Sequence, residues 1–378
     1  MAGRDPATAL ISRAAAAALL VSVLARLALP YWVSTAGNLV DLHVYVGGGA
    51  VIGSGDRLYE YAYAGPTAIP LPFTYPPFAA VMFYPLHFLP FWLVALGWSL
   101  GVVAALYAVV RVSQGLLGGG ERWVAMAWTA GGIWLGPVRS TLDYGQINVA
   151  LCLAVLVAVS SRRWWLSGLL VGVAAGIKLT PGISGLYFIG TRRYGAALWS
   201  AAVFVVTIVV SALVVGPEAR RYFTELVFDP HRMGAVSTPF NQSLRGGIGA
   251  VAGGGYAVPL AVAMVVAAVL ALLAWRSVWV DGGRQDRLGA IVVVELLGLL
   301  VSPISWTHHW VWAIPLLVWL VHGPRRERLS ARVLVGVWLA VTLLCGPWLF
   351  SLSWTGLIYP ATAVATLGWM SATGRRSR

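Results

Sequence analysis

Apolar residues run along this chain in long unbroken blocks, separated by short polar segments rather than alternating with them. A helix needs about 20 apolar residues to cross ~30 Å of hydrocarbon, and inside a bilayer only helices and closed barrels satisfy their own backbones. Blocks rich in Ala, Leu and Val without a two-residue period favour helices over barrel strands. The pattern predicts spans near 12–30, 91–110, 123–138, 146–160, 164–177, 180–190, 195–215, 255–275, 287–301, 308–321, 331–350 and 353–371. Two of these, 164–177 and 180–190, are short, as in a re-entrant pair or tilted helices. Residues 76–89, bounded by Pro76, Pro77, Pro85 and Pro90, are too short and too broken to span and are expected to lie in the interface. The expected fold class is all-α: one polytopic membrane domain over residues 1–378 with about 12 transmembrane helices, and outer loops 31–90 and 216–254 forming a cap.

Composition removes the alternatives. Of the 378 residues, 59% are apolar and only 10% charged, where soluble domains carry about a quarter charged. So little polar surface cannot cover a water-soluble body of this size, which excludes a cytosolic enzyme, a disordered chain and a disulfide scaffold. Cys152 and Cys345 sit inside apolar blocks and read as small buried hydrophobes. The net charge of +13 follows from topology. With the N-terminus inside, Arg4, Arg13, Arg111, Arg122, Arg162, Arg163, Arg192, Arg193, Arg276, Arg284, Arg287, Arg325, Arg326, Arg328, Arg332, Arg375, Arg376 and Arg378 fall on inner segments. They make up 18 of the 26 basic residues, as the positive-inside bias requires. Both ends are therefore expected in the cytoplasm, and no nucleic-acid partner is needed to explain the charge. The first block has a basic lead-in, but no small-x-small cleavage site follows before Asp41, so an uncleaved anchor is expected.

Polar chemistry collects on the outer connections. Asp41-Leu42-His43-Val44-Tyr45 opens the first, where the carboxylate can serve as a general base or simply cap a helix. The glycines from Gly47 to Gly55, followed by Asp56-Arg57-Leu58-Tyr59, lack the strand and Lys-Ser/Thr pair of a phosphate loop and read as close backbone approach. Phe73-Thr74-Tyr75-Pro76-Pro77-Phe78 offers aromatic faces for a sugar ring or for the membrane interface. Asp143-Tyr144-Gly145-Gln146-Ile147-Asn148 supplies amides that can bind hydroxyls or join helices. Lys178 is the only lysine in the chain, and an ammonium at the membrane boundary needs a carboxylate, a phosphate or water. Asn241-Gln242-Ser243-Leu244-Arg245 forms a dense donor set, and Trp306-Thr307-His308-His309 enters a late span. Neighbouring helical histidines diverge by about 100°, so His308 and His309 do not suit one metal ion and no metal site is expected. Glu295 lies inside an apolar block, as a functional carboxyl or a neutral helix contact.

Taken in order, DLHVY, FTYPPF, DYGQIN, GIKLTPG, NQSLRG and SPISWTHHWVW resemble glycosyltransferase family 87, membrane-embedded enzymes of the GT-C type, over about residues 38–320. The resemblance implies a GT-C fold and a polyprenyl-phosphate-mannose-dependent α-1,2-mannosyltransferase, like those that build phosphatidylinositol mannosides and lipoglycans in actinobacteria. It places Asp41 as the catalytic residue and His308 or His309 in the active site. The donor would be polyprenyl phosphate mannose, the acceptor a mannosylated lipid, and no cofactor is implied. On this reading Lys178, Arg139 and Arg245 face the donor phosphate. His43, Tyr45, Tyr75, Gln146, Asn148, Asn241, Gln242 and Trp306 surround sugar and acceptor. The enzyme is expected to act as a monomer in the plasma membrane bilayer, its site on the extracytoplasmic side. Two rivals remain at this level: a transporter or flippase of a lipid-linked sugar, which needs a midplane site, and a related enzyme using polyprenyl-phosphate arabinose.

Overall fold

A computed structural model describes residues 6–31, 38–55, 57–65, 70–280, 284–346 and 349–374. Arg4, Asp56, Arg375, Arg376 and Arg378, together with residues 32–37 and 66–69 of the first long loop, lie outside the described residues. The helices are α1 (Pro6–Ala28), α2 (Val40–Ser54), α3 (Pro77–Phe83), α4 (Phe91–Leu116), α5 (Arg122–Gly132), α6 (Gly136–Tyr144), α7 (Asn148–Ser160), α8 (Trp164–Ile177) and α9 (Gly185–Gly190). They continue as α10 (Tyr194–Val215), α11 (Pro217–Thr224), α12 (Leu244–Ala252), α13 (Ala257–Ser277), α14 (Arg287–Val301), α15 (Ala313–His322), α16 (Leu329–Leu344) and α17 (Ile358–Thr373). Strand structure among the described residues is confined to two short antiparallel pairs, Ala62–Tyr63 with Leu71–Pro72 and Trp279–Val280 with Arg284–Gln285.

The chain is an all-α membrane protein, but its helices are less uniform than the apolar blocks. Among the described residues, α1, α4, α10 and α13 are long and apolar enough to cross a membrane. Helices α7, α8 and α16 are apolar but have 13, 14 and 16 residues; thirteen residues rise only about 20 Å. The predicted span 123–138 is two helices, because the chain turns extended at Leu135 and restarts with Pro137 in the first turn of α6. Likewise 180–190 opens as a 3₁₀ turn over Thr180–Ser184, with Pro181 near its start, before α9. The span predicted at 308–321 begins as 3₁₀ helix over Thr307–Trp312, and 353–371 begins as one over Ser353–Leu357. Residues 76–89 are broken as expected, α3 being followed by a 3₁₀ turn over Tyr84–Phe88.

Side chains on the outside of the bundle are apolar. Leu198 and Leu213 on α10 and Val258 on α13 are 73%, 81% and 72% exposed, a surface suited to lipid. Inside, Trp310, Trp319 and Trp338 are fully buried. Gly168, Gly172 and Gly176 line one face of α8, four residues apart, and a Cβ on them would fall within 2.8 Å of α10 atoms of Ala196, Ser200 and Thr207. This small-residue seam lets the two backbones close without side chains between them. It ends directly before Lys178. Both cysteines are free and buried, as expected.

The two long loops dock on one another. Glu218 on α11 accepts the Tyr59 N–H at 3.0 Å and pairs with Arg57 at 3.5 Å and Arg221 at 3.6 Å. Tyr59 stacks on Tyr222, and Arg232 lies over the Tyr59 ring while donating to the Phe73 carbonyl at 3.2 Å.

Candidate active site

Asp41 enters through an unusual backbone turn. Leu39 precedes α2 in the left-handed region (φ 49°, ψ 31°), and its N–H donates to the Asp143 carbonyl at 2.8 Å. Asp41 follows as the second helical residue and caps nothing. Its Oδ2 instead accepts from Gln146 Nε2 at 2.8 Å. The capping role that the sequence left open is thereby removed. Three and four residues apart share a helix face, so Tyr45 joins Asp41 while His43 points elsewhere. The His43 ring is stacked between Tyr63 (4.6 Å) and Phe91 (3.6 Å).

The turn from α6 into α7 approaches this helix very closely. Gly145 has φ 74°, and a Cβ there would lie 2.5 Å from the Leu42 Cβ, so glycine is needed on both conformational and steric grounds. Gly145 thereby delivers Gln146 to the centre of a buried polar cluster. Gln146 Oε1 accepts from the Tyr45 hydroxyl at 2.9 Å and from Lys178 Nζ at 3.3 Å, and Nε2 also donates to the Tyr75 hydroxyl at 3.0 Å. The amide orientation follows from chemistry, since a carboxylate only accepts and an ammonium only donates. Lys178 Nζ donates to Asn148 Oδ1 at 2.9 Å and sits 5.5 Å from the Tyr75 ring centre. Asn148 Nδ2 in turn donates to the His308 carbonyl at 2.9 Å.

Asp41 lies on α2 and Lys178 in the turn after α8, both outside the long membrane-crossing helices, and burial acts on them oppositely. It raises the Asp41 carboxyl to about 6, against the Gln146 hydrogen bond and the Lys178 charge. It lowers the Lys178 ammonium to about 7, with the Asp41 charge opposing. Two groups of opposite kind thus titrate near neutrality within one cluster, an arrangement common at functional sites.

The histidines adjoin this cluster through Asn148. His308 packs edge-on against Tyr144 at 6.0 Å, and its Nδ1 lies 3.5 Å from Ser140 Oγ. His308 Nε2 and His309 Nδ1 are buried without a hydrogen-bond partner among the described residues. Next to them, a cavity of about 370 Å³ is walled by α7, the 179–183 turn, α14 and the 302–312 segment. Its lining includes Asn148, His309 and Glu295 together with the apolar Leu151, Val155 and Leu299. Glu295 is not free: Ser184 Oγ donates to it at 2.5 Å.

Other residues singled out in the sequence are placed elsewhere. Asn241 and Gln242 are fully buried and spend their amides on backbone. Asn241 donates to the Val236 and Pro303 carbonyls and accepts from the Ser243 and Ser305 N–H groups. Gln242 donates to the Pro239 and Thr355 carbonyls and accepts the Tyr359 N–H. Their geometry is that of a clamp joining three loops rather than of open sugar ligands. Phe73 and Tyr75 are buried as well, so they offer no open face for a ring; only the Tyr75 hydroxyl reaches the cluster. Arg245 lies beside Tyr256 at the start of α12. Trp306 packs near Gly234, and Arg139 is half-buried on α6, one residue before Ser140. A partly buried pair between Arg26 at the end of α1 and Asp143 was not legible in the sequence. It ties α1 to the motif that carries Gln146. Among the described residues, no three His, Cys, Asp or Glu side chains converge as a metal site.

The profile of glycosyltransferase family 87 matches residues 73–303. The chain is 57% identical to the polyprenol-phosphate-mannose-dependent alpha-(1-2)-phosphatidylinositol pentamannoside mannosyltransferase of Mycolicibacterium smegmatis, over 97% of this chain and 93% of that one. It is 52% identical to the protein of the same name from Mycobacterium tuberculosis, over 97% and 89%. A phosphatidylinositol mannoside mannosyltransferase of M. smegmatis is 33% identical over 81% and 76%. No solved structure matches significantly. With the profile covering more than half of the chain and these relatives extending the likeness across nearly all of it, the chain belongs to glycosyltransferase family 87.

Proposed function

We propose that this membrane glycosyltransferase moves mannose from polyprenyl phosphate mannose to a hydroxyl of a phosphatidylinositol pentamannoside, forming an α-(1-2) linkage. The acceptor and linkage are those in the names of the two most similar relatives given above. The observation that carries the reading is the Asp41–Gln146–Lys178 cluster meeting an apolar cavity at Asn148 and His309. A lipid-linked donor needs that combination: an apolar recess for its prenyl chain and a cation for its phosphate.

In this mechanism the acceptor hydroxyl loses its proton to Asp41 as its oxygen bonds to the anomeric carbon of mannose. The bond from that carbon to the phosphate oxygen breaks, and the electron pair leaves with the lipid phosphate. Lys178 stabilises that leaving charge, so no acid is required there. His308 and His309 bring unpaired ring nitrogens to the same site and serve as hydrogen-bonding partners of sugar or phosphate. One displacement on a β-linked donor gives the α product. The chain acts as a single-domain monomer of GT-C type without a cofactor, threading the plasma membrane about twelve times with both ends in the cytoplasm. Asp41 and the docked loops face outward, a side supported by the basic residues gathered on the opposite connections.

The test supplies purified protein with radiolabelled polyprenyl phosphomannose and phosphatidylinositol pentamannoside. The wild-type chain produces a labelled hexamannoside, and Asp41→Asn lowers turnover by roughly 10²–10⁴-fold, the usual contribution of a general base. Full transfer by that variant sinks the assignment.

A further inference from the structure

At the far end of α7 from Asn148 the chain builds a second pocket of about 310 Å³, lined by Ser161, Arg162, Tyr187, Thr191, Arg193 and Arg287. Helix α7 separates it from the candidate active site by about 20 Å, so it opens on the opposite face of the bundle. Three connections meet there: α7 to α8, α9 to α10, and the approach to α14. Half of its lining is arginine.

Among the described residues no Asp or Glu pairs with Arg162, Arg193 or Arg287. Arg193 donates to the Ser161 carbonyl at 2.9 Å and to Ser167 Oγ at 2.7 Å, and Arg287 donates to the Val159 carbonyl. The end of α7 thus draws two guanidinium groups together and offsets only part of their charge. Burial is the largest influence lowering the Arg193 guanidinium; Tyr187 pulls it back up, and the charge of Arg287 pushes it down again. Helix α14 starts at Arg287, and its N-terminus is capped by the Asp286 side chain, which accepts the Gly289 N–H at 2.9 Å and takes Trp319 Nε1–H as well.

The level of the pocket is marked by aromatics. Trp164, Trp165 and Tyr194 on the same connections are 55%, 44% and 56% exposed, as side chains at the membrane–water boundary are. Arginines that serve only to set topology extend their heads into water. Arg193 and Arg287 are instead partly buried in the walls of a recess.

We propose that this pocket binds the phosphate of an anionic phospholipid headgroup from the leaflet opposite Asp41. Arg162 and Arg287 supply charge-assisted donors, Arg193 shapes the floor, and the acyl chains lie along the apolar surfaces beside it. It is a site separate from that of the lipid-linked donor, on the other side of the membrane.

The test follows the thermal unfolding midpoint of the full chain in detergent while phosphatidylglycerol, phosphatidylcholine or sodium phosphate is titrated in. Phosphatidylglycerol stabilises; phosphatidylcholine and sodium phosphate do not. In the R162Q/R287Q variant the apparent affinity for phosphatidylglycerol falls roughly tenfold or more, at about 1 kcal/mol per basic residue. R276Q, changing an exposed arginine outside the pocket, behaves as wild type. If the double variant does not fold, R162Q alone, altering an exposed side chain, weakens binding about fivefold on the same basis. Equal stabilisation by phosphatidylcholine, or undiminished affinity in these variants, overturns the proposal. Stabilisation by sodium phosphate matching that by phosphatidylglycerol overturns the lipid assignment.

Discussion

Gln146 stands between Asp41 and Lys178, giving a hydrogen bond to one and taking one from the other. The proposed reaction needs Asp41 ionised and Lys178 protonated. Asp41 is a carboxylate above about pH 6, and Lys178 keeps its proton below about pH 7. Because kcat/KM reports groups of the free enzyme, it is expected to rise through about 6, fall through about 7, and peak narrowly between. A flat profile from pH 5 to 8 would remove these two residues from their roles. Replacing Gln146 with Glu puts a second negative charge beside Asp41, which raises its pKa, so the acid limb moves to higher pH. Lys178→Ala is expected to raise the donor KM roughly tenfold to a hundredfold, the worth of a charged hydrogen bond. The acceptor KM changes far less, and a steady-state comparison of the two constants decides it.

At the level of elements, two glycine arrangements decide where these side chains meet. The α8 seam of Gly168, Gly172 and Gly176 against α10 sets the position of Lys178, and Gly145 sets that of Gln146 against α2. Gly145→Ala combines a positive φ with contact against Leu42, and is expected to cost roughly 1–3 kcal/mol. The measurable consequence is a lower unfolding midpoint together with lost transfer activity, since α2 must retreat and carry Asp41 with it. Wild-type activity in that variant would show that the α2–α6 contact does not position the base. The glycine run was legible as close approach, but Gly47, Gly48 and Gly49 lie within α2 rather than in a loop. They pack on Tyr61, Phe73 and the Phe83–Tyr84 backbone.

For the whole molecule, the arrangement separates two faces. Asp41, the docked loops and the main cavity gather toward one, and the arginine-lined pocket lies on the other. A single cysteine placed at Ser54, on the Asp41 face, is expected to react with a membrane-impermeant maleimide in intact cells. One placed at Arg276 is expected to react only after permeabilisation. The reverse pattern would put the candidate site in the cytoplasm, where no outward-facing transfer occurs. Cys152 and Cys345 are buried and leave the assay clean.

Long apolar blocks and the sparse charge pointed to a helical membrane protein, because a bilayer admits only helices and closed barrels and these blocks lack the alternation of barrel strands. The order of short polar motifs likewise carried the family and brought Asp41, Tyr45, Tyr75, Gln146, Asn148 and Lys178 forward as candidates. What the sequence could not decide was which polar groups face a substrate and which are consumed by the fold. Asn241 and Gln242 look no different from Gln146 and Asn148 in one dimension. Their amides are divided between neighbouring backbone and loops 60 or more residues away. Helix boundaries were blurred for a related reason: hydrophobicity persists through 3₁₀ turns and proline breaks that hydrogen-bond geometry interrupts. The pairing of Arg26 with Asp143, and of Ser184 with Glu295, depends on which helices are neighbours. Only packing in three dimensions fixes that.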